Sequence, residues 1–329
     1  MSKELNLTKE WDKTFDLSEK VNHKKVIFKN HFGITLVADM YEPKEHEGLL
    51  SAIAVSGPYG AVKEQCSGLY AMKMAERGFL TIAFDPSYTG ESTGIPRYMS
   101  SPDINTEDFM ASVDYLRSLE NVDKEKIGII GICGWGGIAL NTAAIDPRIK
   151  ATISSTMYDM TRVSANGYFD EADNEEARYK MRVAISCQRD EDYKTGEYKL
   201  AGGCLELPVP EDAPFFVKDY SEYYKGRCYH KRSLNSNGGW AIQNNTSWLN
   251  AKFLQYTNEI RNAVMIVHGD KAHSYYFGKT AYENMIKNSK FTDNKKFLSL
   301  PNAVHTDLYD NLDVIPFDEM EKFMNENMK

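Results

Sequence analysis

What the sequence lacks narrows its function first. Its five cysteines, Cys66, Cys133, Cys187, Cys204 and Cys228, are an odd number with no Cys-x-x-Cys pair, so neither a disulfide framework nor a cysteine zinc site is indicated. No His-x-His, His-Glu-x-x-His or clustered-carboxylate spacing occurs, and no metal or other cofactor is expected. Long apolar runs are missing too: AVMIV at 263–267 falls far short of the roughly 20 residues a membrane-spanning helix needs. The first stretch, MSKELNLTKEWDK, is polar where a signal peptide needs an apolar core, which predicts a reducing, cytoplasmic setting. Basic residues are outnumbered, 39 against 47 acidic, and the net charge of −8 is spread along the chain. That balance argues against nucleic acid and anionic membrane as partners. The glycines of GICGWGG fit neither the dinucleotide fingerprint nor the phosphate loop. A small-molecule substrate is the expected partner, and the oligomeric state, a homodimer included, is left open.

What is present is an alternation of strand and helix signals. Of the 329 residues 42% are apolar, enough for one large core or two modest ones. KKVIFKN and ITLVADMYEP flank HFG and read as an antiparallel opening hairpin. SAIAVSG (51–57), FLTIAFD (79–85), KIGIIGIC (126–133), KATISSTMY (150–158), AVMIVHG (263–269) and KKFLSLPN (295–302) are short and nearly continuous in apolar character. Strands buried on both faces of a parallel sheet read that way. Between them, 62–77 reads as a helix stopped by Gly78, and 106–119 as a helix behind an Asn105 or Thr106 cap, with Phe109, Val113 and Leu116 on one face.

Residues 160–257 differ, being rich in Tyr, Asn, Asp and Glu with almost no strand pattern. A structureless loop of that length is improbable in a compact domain, so the reading is a mostly helical lid inserted after the sixth strand and covering one sheet edge. Residues 1–159 and 258–329 then form the two parts of the core. The lid's Tyr168, Tyr179, Tyr220, Tyr223, Tyr224, Trp240 and Trp248 are expected either to supply substrate selectivity or to form the lid's own core.

Four stretches carry a resemblance: SGPYGAVKEQ after the third strand, FDPSYTGESTG after the fourth, GICGWGG after the fifth and NAVHTDLYD after the eighth. Their order resembles the α/β-hydrolase superfamily, more closely its dienelactone-hydrolase-like branch. The resemblance implies a mostly parallel eight-stranded sheet with helices on both faces, and a nucleophile elbow of the form Gly-x-Ser-x-Gly after the fifth strand.

Read from the strand side, the elbow places Cys133 as nucleophile. Read from the helix side, CGWGG puts Trp135 there, and an indole has no nucleophilic heteroatom. A thiol at a helix N-terminus should have a lowered pKa, whereas a cysteine ending an apolar strand is also a common core residue. The resemblance further implies His305 as general base and an acid after the seventh strand, where HGDKAHS offers Ala272 instead. Asp270 or Asp159 is the replacement considered. The oxyanion would be held by the N–H groups of Gly134 and Tyr59, since Pro58 has none to donate. Trp135 and Tyr88 are candidate substrate contacts, and Lys63, Glu64 and Gln65 read as a charged first helical turn. The expected activity is hydrolysis of an ester, thioester or lactone of a small molecule by a Cys-His-acid mechanism. The alternatives are a non-catalytic pseudo-hydrolase with Trp135 in the nucleophile position, and an enzyme using the hydroxyl of Ser274 or Ser87.

Overall fold

The computed structural model describes residue 5 and residues 7–329. Strands β1 (Val21–Lys29) and β2 (Thr35–Pro43) form the antiparallel hairpin, with Val21 opposite Pro43 and Lys29 opposite Thr35. They are followed by β3 (Leu50–Ser56), β4 (Leu80–Phe84), β5 (Val122–Ile132), β6 (Ile149–Ser155), β7 (Ala263–Gly269) and β8 (Lys295–Leu300). The sheet order is β1-β2-β4-β3-β5-β6-β7-β8; β2 meets β4 antiparallel and every later pairing is parallel. Strands β4 and β7 are buried at every position, as their unbroken apolar sequences require of two-faced burial.

Helices α1 (Cys66–Ala75), α2 (Pro102–Ser118) and α3 (Gly134–Ile145) cross over between the parallel strands. Helix α2 starts earlier than the sequence suggested. Ser101 caps it by accepting from the Ile104 N–H, with Pro102 at the first helical position, so Asn105 and Thr106 lie inside the helix. Phe109, Val113 and Leu116 of α2 and Ile138 of α3 pack on one face of the sheet, while Tyr70 of α1 and Phe323 of the C-terminal helix pack on the other.

Residues 160–257 contain α4 (Met160–Asn166), α5 (Glu175–Thr195), α6 (Phe215–Ser221) and α7 (Asn245–Trp248), and among the described residues they add no strand to the sheet. Their hydrogen bonds run to the loop after β3: Asn235 and Ser233 bond Gly60, and Asn235 Nδ2 donates to the Tyr59 carbonyl at 2.8 Å. Among the described residues no hydrogen bond from this segment reaches either edge strand, β1 or β8. Helices α8 (Tyr275–Ile286), α9 (Asp307–Asp310) and α10 (Phe317–Asn327) complete the chain. No described helix is long and apolar enough to cross a membrane.

Candidate functional site

Cys133 occupies the turn between β5 and α3 with φ 59° and ψ −126°. This is sparsely populated backbone for a residue with a side chain, and such strain concentrates at functional sites. The turn closes because its neighbours are small: a Cβ on Gly131 would fall 2.0 Å from the Trp135 carbonyl oxygen, and one on Gly134 would fall 2.8 Å from Tyr59 Cβ. Tight bonds fix the cysteine backbone, its N–H donating to Ser155 O and its carbonyl accepting from Gly136 and Tyr158, each at 2.9 Å.

Burial pushes the Cys133 thiol up from its ordinary pKa, while the Tyr309 hydroxyl and the N–H groups of Tyr59 and Gly134 pull the other way. The expectation of a lowered thiol pKa is therefore corrected. Desolvation outweighs the helix terminus and the hydrogen bonds to the sulfur. The Tyr59 and Gly134 amides converge on the sulfur as the two oxyanion candidates.

Trp135 stands in the first turn of α3 but turns away from the cavity. It is 1% exposed and lies edge-on to Phe84 at 5.5 Å and Phe109 at 5.2 Å, within the apolar layer under α2 and α3. It does not line the cavity, because its bulk is accommodated by the core on the far side of the elbow. Tyr88 is displaced from the site as well. It packs beside Gly94 and against the small cluster of Ile34, Leu36 and Ala111.

His305 lies between β8 and α9. Its Nδ1 is 2.6 Å from Ser274 Oγ and 2.9 Å from Thr156 Oγ1, and its Nε2 is 3.0 Å from the Tyr309 hydroxyl. Ser274 Oγ is in turn 2.9 Å from Nε2 of His268, the penultimate residue of β7. A chain thus runs from His268 through Ser274, His305 and Tyr309 to Cys133, with Tyr309 interposed between imidazole and sulfur. Tyr59, Cys133, Thr156, Ser274 and His305 all follow carboxyl ends of parallel strands, where open α/β sheets assemble their sites.

Neither expected carboxylate bonds to His305. Asp159 is drawn to the N-terminus of α4, where Oδ1 accepts from Thr161 N at 3.0 Å and Arg162 N at 3.1 Å. Asp270 Oδ1 accepts from Asn302 N at 2.7 Å and holds the turn after β8. Two hydroxyls take the carboxylate's place. Burial, with the neighbouring His273 and His268, holds the His305 pKa well below its ordinary value. Burial likewise pushes His268 down to about 3 and His273 to about 4. Of the alternative hydroxyls, Ser87 is taken up by Asp108 at 2.6 Å and Asn30 at 3.0 Å, and Ser274 faces the side of the imidazole away from the sulfur.

The sulfur opens onto a cavity of about 250 Å³. Tyr168, Tyr220, Tyr224 and Trp240 from the 160–257 segment form much of its wall, with Tyr59 stacked on Trp240 at 4.3 Å. Tyr223 and Trp248 are instead buried in packing, and Tyr179 is exposed. The turn Lys63–Gln65 is buried and not a solvated helix start. Burial opposes the Lys63 charge, yet Asp85 and Glu64 hold its pKa well above the ordinary value. Its Nζ lies 2.9 Å from Asp85 and 2.7 Å from Glu91, and Arg232 reaches Glu64 at 2.7 Å. The loops after β3 and β4 and the 160–257 segment are thereby joined. Glu64, Asp85 and Glu91 converge as cation ligands would, but the Lys63 ammonium already supplies the positive charge.

Comparison with known proteins agrees with this architecture. The uncharacterized protein PA2218 of Pseudomonas aeruginosa is 50% identical over 328 residues, covering 99% of this chain and 86% of that protein. Its crystal structure superposes with a TM-score of 0.93 at 49% identity, over 99% of both chains. The α/β-hydrolase GrgF from Penicillium sp. sh18 superposes with a TM-score of 0.73 at 17% identity, covering 93% of this chain and 99% of that one, a likeness of fold. The thiohydrolase aneE of Aspergillus aculeatus is 33% identical over 103 residues, 31% of this chain and 32% of that protein. The profile of the X-Pro dipeptidyl-peptidase (S15 family) matches residues 33–284. The chain belongs to this S15 family and has the α/β-hydrolase fold.

Proposed function

We propose that the protein cleaves an ester, thioester or lactone bond of a small organic molecule by acyl transfer to Cys133. One observation carries this reading: a strained elbow thiol shares a cavity with two convergent N–H groups, while a neutral imidazole reaches it through a single hydroxyl. As the sulfur attacks the carbonyl carbon, the thiol proton passes to the Tyr309 oxygen and the Tyr309 proton passes to His305 Nε2. The carbonyl electron pair moves onto oxygen and is received by the Tyr59 and Gly134 amides. Collapse expels the alkoxide or thiolate, which recovers the proton by the same path, and water then releases the acid. A thiol suits a base of low pKa, because sulfur needs less help to ionise than a hydroxyl.

The dienelactone-hydrolase-like form of GICGWGG supports the lactone or ester reading, and the name of the thiohydrolase aneE supports a thioester. In this reading residues 160–257 act as the lid that sets selectivity, and the enzyme works in the cytoplasm. The test is trapping. Incubation with p-nitrophenyl acetate should add one acetyl group, mapped by mass spectrometry to Cys133, and Cys133→Ala should lose both adduct and turnover. Simple alkylation is a poor substitute, because Cys187 is exposed while Cys133 is buried. Hydrolysis unchanged in Cys133→Ala, with no adduct in the parent protein, would return the cleft to a binding role.

A further inference from the structure

The cavity beside Cys133 is unusual in what its wall omits. Of the fourteen residues that line it, none carries a formal charge: they are seven aromatics, two glycines, Met160, Val163, one amide and two thiols. Charged side chains of the covering segment are engaged elsewhere, Arg162 with Asp170 and Lys225 with Glu206. An ionised acyl group entering this space would lose its hydration with no opposite charge to receive it. The same holds for the α-ammonium of an X-Pro dipeptide, although the chain belongs to a family described by that activity.

Within this neutral wall two polar groups are unpaired. Tyr224 is 1% exposed and its hydroxyl has no hydrogen-bond partner. Asn235 is the side chain that acts on this hydroxyl as a hydrogen-bonding neighbour, but it lies outside hydrogen-bond geometry and donates its Nδ2 to the Tyr59 carbonyl at 2.8 Å. Buried hydroxyls are rarely left unpaired, and leaving one so costs about 1–3 kcal/mol. The indole N–H of Trp240, on the same wall, also lacks an acceptor. Both groups suit an oxygen carried by the occupant. Size adds a bound: benzene, with six non-hydrogen atoms, fills a cavity of about 150 Å³. In proportion, the 250 Å³ here holds about ten such atoms.

We infer that the substrate's acyl part is uncharged, has about ten non-hydrogen atoms, and carries a hydroxyl or keto oxygen that pairs with the Tyr224 hydroxyl. The inference rests on the acyl-transfer reading of the same site, but its test does not depend on turnover. In the Cys133→Ala protein, binding of phenylacetamide, 4-hydroxyphenylacetamide and 4-carboxyphenylacetamide is measured by calorimetry. The hydroxy amide should bind about five- to tenfold more tightly than the parent amide, the range one hydrogen bond to a buried orphan provides. The carboxylate should bind at least tenfold more weakly than the parent amide. Adding Tyr224→Phe should bring the hydroxy-to-parent ratio within twofold.

A ratio near one, a ratio that survives Tyr224→Phe, a carboxylate bound as well as the neutral amides, or no saturable binding of either neutral amide overturns the inference. Should the acetyl adduct form on Cys133 while the amides fail these criteria, the substrate class is wrong and the hydrolase reading stands. Should the amides meet them while no adduct forms, the hydrolase reading fails and the site remains a selective binding pocket.

Discussion

Ser274 Oγ stands 2.6 Å from Nδ1 of His305, so the imidazole is oriented by a hydroxyl where a catalytic carboxylate would be expected. A hydroxyl, which can donate or accept, orients the ring but does not stabilise an imidazolium by charge, and the His305 pKa is depressed by burial and by its histidine neighbours. The base form then persists into mildly acidic solution. The acid limb of kcat/KM against pH should fall below the ordinary histidine value of about 6.5. Ser274→Ala should lower kcat/KM at least tenfold, consistent with losing a hydrogen bond to a group that becomes charged. An acid limb at or above 6.5, read from initial rates between pH 4.5 and 8, would contradict the orientation by hydroxyl.

Tyr309 is the one side chain that bonds His305 Nε2 and also acts on the Cys133 thiol. Tyr309→Phe keeps the ring and removes the relay. Proton transfer by a positioned group contributes roughly 10²–10⁴ in rate, so kcat/KM should drop about a hundredfold with little change in melting temperature. Activity within threefold of the parent would mean that His305 reaches the sulfur without it.

Trp135→Ala separates core from cleft. The ring is packed between Phe84 and Phe109, and its loss should destabilise the fold by about 3–5 kcal/mol in urea unfolding. The KM of the variant that remains folded should be unchanged. A large KM shift with little loss of stability would place the indole back in the substrate path.

Two buried histidines and a half-buried one make stability fall in acid. His268, His273 and His305 all have folded-state pKa values below the ordinary 6.5, so between that value and about pH 4 the unfolded chain binds protons that the folded chain refuses. Stability is complete above pH 6.5 and drops as pH falls, with a limiting slope of about 4 kcal/mol per pH unit for three such groups. Asp108 opposes this: burial raises it to about 6, so its protonation in the folded state offsets part of the loss. The urea midpoint should be clearly lower at pH 5 than at pH 7.5, and His268→Gln should flatten the dependence. Equal midpoints at the two pH values would show that the histidines are not held neutral.

The sheet was legible because its strands are short apolar runs interrupted by glycine and loop residues, and every one of the eight lies where its run does. The elbow was legible from one side only: Cys133 ends an apolar strand, whereas Trp135 suggested a cleft residue because its neighbours are glycines. Nothing local says that the indole turns under α2, since Phe84 and Phe109 come to it from distant positions. The orienting group was not legible either. Ser274 reaches His305 across a separation of 31 residues, and the two nearby carboxylates were claimed by backbone amides. Tyr309 did leave a trace, lying four residues after His305, the spacing that places two side chains on one helical face.

The buried ammonium of Lys63, bound to Asp85, Glu64 and Glu91, has a bearing on the timing of catalysis. The loop that presents the Tyr59 amide is anchored by charge in the free protein, so in the proposed acyl transfer that dipole would not have to be reoriented as negative charge develops on oxygen. The opposite wall is built differently, from Tyr220 of α6 and Tyr224 of the turn beyond it. One side of the cleft is thus set for the reaction, and the other is left to discriminate among molecules.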